Sequence, residues 1–227
     1  LALVGFGFKA GLVPVHFWLP GAHANAPSHV SALLSGVMLK MGVYGFLRVT
    51  QLLPEPPAWW GGLVLVVALL TALTGILLAL REGDLKRLLA YSSVENLGIV
   101  FLGIGLALLG RAQHRPEWVA LGLAAAVLHV VNHALFKTLL FLSTGALVHA
   151  HGSRDLESMG GLLRRMPRVG AAFATGSLAV CGLPPLNGFA SEWLLYLGLL
   201  AAWTETGDAG STLGGFAVAG LALVGGL

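Results

Sequence analysis

Residues 63–80 form an unbroken run of eighteen side chains with no charge among them. As an α-helix, that run is about 27 Å long, against a hydrocarbon core of about 30 Å. Such a run ends either inside a large protein core or in lipid. Further apolar stretches cover residues 1–19, 30–50, 91–109, 118–148, 169–203 and 212 to the end. Of the 227 residues, 56% are apolar and only 10% charged, and the mean hydropathy is +0.84. Polar side chains are too few to coat a water-soluble globule, so lipid is the solvent for most of the chain. The expected fold is all-α: a polytopic transmembrane bundle of about seven spans with short loops, forming a single domain over residues 1–227. The sequence opens and stops inside apolar runs without an initiator Met, and is expected to be the C-terminal part of a longer chain, truncated at both ends.

Two of the stretches are expected to be discontinuous helices. Residues 169–203 are too many for one perpendicular span and are interrupted by Gly182-Leu183-Pro184-Pro185, where consecutive prolines remove donors and obstruct the preceding turn. The first stretch carries Gly11-Leu12-Val13-Pro14 and then Pro20, a short echo of the same pattern. Irregular backbone at membrane depth survives only beside protein or water, which makes paired interruptions a pointer to a transport path.

Ten of the 13 lysines and arginines lie between the apolar runs. Arg81, Lys86, Arg87, Arg154, Arg164, Arg165 and Arg168 fall in one alternating set of connections, while Arg48, Arg111 and Arg115 fall in the other. Seven against three places the first set on the cytoplasmic side. The net charge of +3 is therefore a topology signal rather than a nucleic-acid surface. A lone cysteine, Cys181, makes no intrachain disulfide and cannot hold an iron-sulfur cluster, which takes four thiolates. No Walker or dinucleotide fingerprint is present, so no cofactor is expected in this chain.

Four ionisable residues lie inside apolar stretches: Lys9, Lys40, Lys137 and Glu192. Each costs about 2.5 to 3.5 kcal/mol at mid-helix on insertion scales. A bland reading has Lys9 and Lys40 snorkelling to an interface, and Lys137 with Glu192 forming a structural ion pair. The functional reading is a proton path. His129, His133 and Lys137 are spaced by four, which stacks them on one helix face beside Asn132, and a neutral imidazole both accepts and donates a proton. Zinc binding needs further ligands and a zincin Glu that is missing. Haem ligation needs imidazoles on opposite faces of the iron, and interhelical hydrogen bonding without transport is a further alternative. Glu95, near the start of residues 91–109, is either a solvated interfacial carboxylate or a proton entry point. His16, His23, His29, His149 and His151 fall near span ends or in loops, where polar residues need no special explanation.

Several segments are also similar to known wording. Lys9-Ala10-Gly11-Leu12-Val13-Pro14-Val15-His16-Phe17-Trp18-Leu19-Pro20 with Ala26-Pro27-Ser28-His29-Val30-Ser31-Ala32-Leu33-Leu34 resembles the discontinuous helix and its successor in the antiporter-like subunits of complex I, Mrp-type antiporters and energy-converting hydrogenases. Asp84-Leu85-Lys86-Arg87-Leu88-Leu89-Ala90-Tyr91-Ser92-Ser93-Val94-Glu95-Asn96, residues 129–137 and Leu183-Pro184-Pro185-Leu186-Asn187-Gly188-Phe189-Ala190-Ser191-Glu192-Trp193 resemble later landmarks of that family, in order. The forms of the second and last segments look most like the large membrane subunits of hydrogenase-4 and formate hydrogenlyase.

The resemblance implies a half-channel scheme. Lys9 matches a switch lysine whose glutamate partner comes from an earlier helix, upstream of Leu1. Lys40 matches a connecting lysine, His129, His133 and Lys137 the central relay, and Glu192 a terminal charged residue that is lysine in some relatives. It implies a non-redox, proton-translocating subunit in a prokaryotic plasma membrane, assembled with other membrane subunits and a peripheral redox arm and moving protons or sodium. A stand-alone cation/proton antiporter and a structural anchor of a redox complex are the alternatives.

Overall fold

Asp84 opens the helix around which the others pack. Its carboxylate accepts from the backbone N–H of Lys86 (2.8 Å) and of Arg87 (3.1 Å), an N-cap that satisfies donors the first turn leaves free. In a computed structural model, which describes residues 1–53 and 55–205, the helix it starts, α6, runs Leu85–Ala112 and its most apolar 18-residue window is wholly buried. The expected span from residue 212 onward lies outside the described residues.

The other elements, in order, are α1 (Ala2–Ala10), α2 (Trp18–Asn25), α3 (Ser28–Leu33), α4 (Leu39–Gln51), α5 (Ala58–Leu80), α7 (Pro116–His151), α8 (Leu162–Arg165), α9 (Pro167–Val180) and α10 (Asn187–Glu205), with no strand among the described residues. A π turn at Leu34–Met38 joins α3 to α4, giving a continuous helical rod, Ser28–Gln51. That rod, α5, α6 and α7 are the four described elements long and apolar enough to cross a membrane. Pro116 starts α7, where its missing N–H is harmless, and Gly152, at φ +81°, ends it in the left-handed region.

Glycines set the distance between central helices. A Cβ on Gly75 would lie 2.4 Å from the Glu95 nitrogen, and one on Gly98 2.5 Å from the Ala72 nitrogen, so α5 and α6 touch backbone to backbone. Gly103 and Gly122 do the same for α6 and α7. Close approach through small residues is how helices associate where lipid removes the hydrophobic drive.

The alternation of loops read from the basic residues holds in three dimensions. At one end, Arg154 pairs with Asp84 (3.2 Å) and donates to the Ala24 carbonyl, while Lys86 donates to the Ala26 carbonyl (2.8 Å). Leu85 N–H to Arg154 O (3.0 Å) and Leu156 N–H to Gly83 O (2.9 Å) close the same cluster. At the other end, Arg111 donates to Thr50 O (2.9 Å), and Arg115 meets Glu205 at 3.3 Å.

The interruptions between α1 and α2 and between α9 and α10 coincide with the two Gly/Pro motifs. At the first, Gly11 (φ +86°) turns the chain and its N–H, with that of Leu12, returns to Gly7 O. The Val13 N–H donates to Thr71 Oγ1 of α5 at 3.1 Å, so the exposed backbone group finds a partner inside the bundle.

Candidate functional site

α7 brings His129, His133 and Lys137 to one buried face, with exposures of 1%, 0% and 0%. The His129 and His133 rings lie 6.4 Å apart, and Phe136 meets both edge-on. Hydrogen bonds then carry the row into three other helices.

Asn96 of α6 holds one edge of the His129 ring. Its Nδ2 donates to Ser92 O (2.8 Å), so its Oδ1 is left to accept from His129 Nε2 at 3.1 Å. His129 Nδ1 lies 3.0 Å from Ser191 Oγ on α10, a hydroxyl that donates to Gly188 O at 2.9 Å. Asn132 donates both to that hydroxyl (3.0 Å) and to Asn187 O (2.6 Å). His129 is thereby held between α6 and α10.

Lys137 Nζ donates to Ser92 Oγ and to Leu89 O (3.2 Å), both on α6. Lys40 Nζ, on α4 and 8% exposed, donates to Ser35 O in the π turn and lies 2.5 Å from His133 Nδ1. Ser35 Oγ and Ser93 Oγ meet at 2.9 Å, and Ser93 Oγ donates to Leu89 O at 3.0 Å, the carbonyl that Lys137 also reaches. Four of the six relay residues expected from sequence therefore meet in this network, Lys40, His129, His133 and Lys137, while Glu192 stands beside Ser191 on α10.

Lys9 does not join them. The buried face of α1 is made by Gly7 and Ala10, and Lys9, in its last turn, stands exposed. Glu95 departs from its expected interfacial place. Charged Lys86 and Arg87 belong to the first turn of α6, so the helix starts six residues before the apolar stretch and Glu95 sits about 15 Å along it, only 7% exposed. His23 is also misplaced by hydropathy: α2 is packed against the bundle and the ring is fully buried. Among the described residues, neither Lys40, Lys137, Glu95 nor Glu192 forms a direct ion pair, so the Lys137–Glu192 pair of the bland reading is not made.

Glu192 instead lies against the second interruption. A Cβ on Gly182 (φ +61°) would fall 2.5 Å from Glu192 Oε2, so the carboxylate occupies space that only glycine leaves. Glu192 and Glu95 line one cavity of about 510 Å³, with Ser92 and Cys181 beside them and Glu82, Leu85 and Leu156 toward the end where Asp84 and Arg154 pair. Sequence reasoning missed Ser35, Ser92, Ser93, Asn96 and Ser191. The spacing of Ser92 with Asn96, four apart on an otherwise apolar helix, was the available signal.

The transmembrane model of the NADH:quinone oxidoreductase/Mrp antiporter family matches residues 1–215. The chain belongs to this family. Hydrogenase-4 component B of Escherichia coli is 48% identical across the whole chain, which covers 34% of that protein. Formate hydrogenlyase subunit 3 of the same organism is 42% identical, again across the whole chain, with 37% of it covered. The solved Mrp complex from a Dietzia species contains a chain that superposes with a TM-score of 0.80 at 27% identity, over 98% of this chain and 40% of that one. The chain thus spans about a third of the length of the curated relatives it matches. As a member of the NADH:quinone oxidoreductase/Mrp antiporter family it is an integral membrane protein, and the resemblance drawn from its motifs is borne out.

Proposed function

We propose that this chain is the proton-conducting part of a longer membrane subunit, in which it passes protons across a prokaryotic plasma membrane while redox chemistry in partner subunits drives the process. The observation that carries the reading is the buried hydrogen-bonded set of groups that runs from His133 and Lys40 through Ser35, Ser93 and Leu89 to Lys137, and by Ser92 and Asn96 to His129 and Ser191. Lipid should exclude such groups unless their function offsets the cost.

In this reading α1 with α2, and α9 with α10, each cross the membrane as one discontinuous helix, and about seven spans make a single conducting domain. Two contacts support it. The carbonyls of Ala24 and Ala26 lie at the Asp84–Arg154 end, whereas Leu1 and Leu3 line a cavity with Thr50 and Leu53 at the opposite end. Likewise α9 begins after the residue 150–165 loops and α10 finishes at Glu205 beside Arg115.

Protons enter along the 510 Å³ cavity, reach Glu95 and Glu192, and are handed to Lys137 and the imidazoles. A cation held on one residue repels charge on the next in a poorly screened interior, so the steps are coupled. Lys9 serves as the switch on the outer face of α1, opposite an acidic partner from elsewhere in the longer chain. No cofactor takes part within this chain; other membrane subunits and a peripheral redox arm supply the electrons.

Proton uptake into inverted vesicles carrying the intact complex, followed together with electron transfer, tests the reading. Glu192→Gln should lower protons moved per electron at least tenfold with electron transfer retained, and an unchanged ratio would contradict it. The likeness to an Mrp complex favours a second reading, cation/proton exchange. Sodium-dependent proton release by the full-length protein alone in proteoliposomes would establish that one.

A further inference from the structure

His23 of α2 is fully buried, and neither of its ring nitrogens has a hydrogen-bond partner among the described residues. Its ring stacks on Phe141, centroid to centroid 4.7 Å and 11° from parallel. Phe141 is one turn beyond Lys137 on α7, so His23 stands where the row His129, His133, Lys137 would continue. Thr144, one turn further on that face, is likewise fully buried with its Oγ1 unpartnered. Beyond them lies the end where Lys86 and Arg154 hold the carbonyls of Ala26 and Ala24.

Buried polar atoms rarely lack a partner, and where protein supplies none a bound water does. The titratable groups within electrostatic reach of His23 are Lys137 and His133 of α7, Lys40 of α4 and Lys86 of α6. No carboxylate is among those charges, so a structural ion pair does not explain the ring. Its stack on Phe141 explains the packing and leaves both nitrogens unexplained.

We infer that His23 is a further proton-relay residue, forming with Thr144 a water-bridged branch from the Lys86 end of the bundle to Lys137. One ring nitrogen takes the excess proton of a hydronium on the Lys86 side, leaving water and giving imidazolium. The other nitrogen releases its proton toward a neutral Lys137, and the ring returns to neutral, so one proton enters and one leaves. The inference rests on the proton-conducting reading above, and places a second route beside the cavity that ends at Glu95.

The test uses inverted vesicles carrying the intact complex, with wild type, His23→Phe, His23→Gln and Lys137→Met compared for assembly, electron transfer and protons moved per electron. Phe keeps the aromatic stack, and Gln keeps hydrogen-bonding atoms without taking up a proton. Both His23 variants should assemble and transfer electrons while the proton ratio falls at least tenfold. Wild-type pumping by His23→Phe, or rescue by His23→Gln, would overturn the relay role, as would failure of both to assemble, which would assign the ring a structural one. If Lys137→Met pumps normally, the proton-conducting reading itself fails; if Lys137→Met is inactive while the His23 variants pump, only the His23 inference does.

Discussion

Lys40 Nζ lies 2.5 Å from His133 Nδ1, joining α4 to α7 across 93 residues of sequence. A lysine ammonium can donate to that nitrogen only while it is unprotonated, and two positive charges this close in a weakly screened interior exclude each other. The pair therefore holds one extra proton at a time and acts as a unit. Lys40→Met and His133→Phe should each lower proton uptake per electron at least tenfold, and the double variant should be no worse than the worse single one, since residues acting as a unit are not additive. Vesicle proton uptake on all three checks this, and multiplicative losses would separate the two residues.

Asn96 Oδ1 accepts from His129 Nε2. Asn96→Leu leaves the His129 Nε2 proton buried without an acceptor, a cost of about 1 to 3 kcal/mol. Thermal unfolding of the purified complex should begin earlier, and pumping should fall several-fold. Asn96→Asp, which keeps an acceptor there, should recover more of the pumping than Leu.

Gly182 combines a positive φ with a carboxylate at the place a Cβ would occupy. Gly182→Ala should cost about 1 to 3 kcal/mol for the strained backbone alone, and displace Glu192 from the interruption. Gly83, with open space around its Cβ position, is the control: Gly83→Ala should stay within about 0.5 kcal/mol. Thermal stability and proton uptake measured on both distinguish the position from a general effect of losing glycine.

Much of this is legible in the sequence. The i, i+4 spacing of His129, His133 and Lys137 specified one helix face, and the structure places all three on it, buried. The alternating basic loops predicted which connections meet, and Asp84, Lys86 and Arg154 do meet. Less legible was depth. Lys86 and Arg87 look like loop residues to a hydropathy window, yet Asp84 caps a helix that includes them, so Glu95 lies deeper than its distance from the apolar stretch suggests. The burial of His23 is hidden for a related reason: α2 has no long apolar run of its own, and the ring is covered by packing on α6 and by the stack on Phe141 of α7. Serines such as Ser92 and Ser191 become informative only when a partner on another helix is located, which is tertiary information. Lys9 shows the converse, because its place in an apolar stretch says nothing about which side of α1 the neighbours cover.

Lys137 is fully buried, and among the described residues its hydrogen bonds run to α6, through Ser92 Oγ and Leu89 O. Lys137→Met keeps the length and apolar stem of the side chain and removes its proton-carrying end. The most direct measurement is the number of protons moved per electron by inverted vesicles carrying the intact complex with this substitution. Assembly and electron transfer close to wild type, with the proton ratio reduced at least tenfold, is the expected result. A wild-type ratio would contradict a conducting role for the buried row.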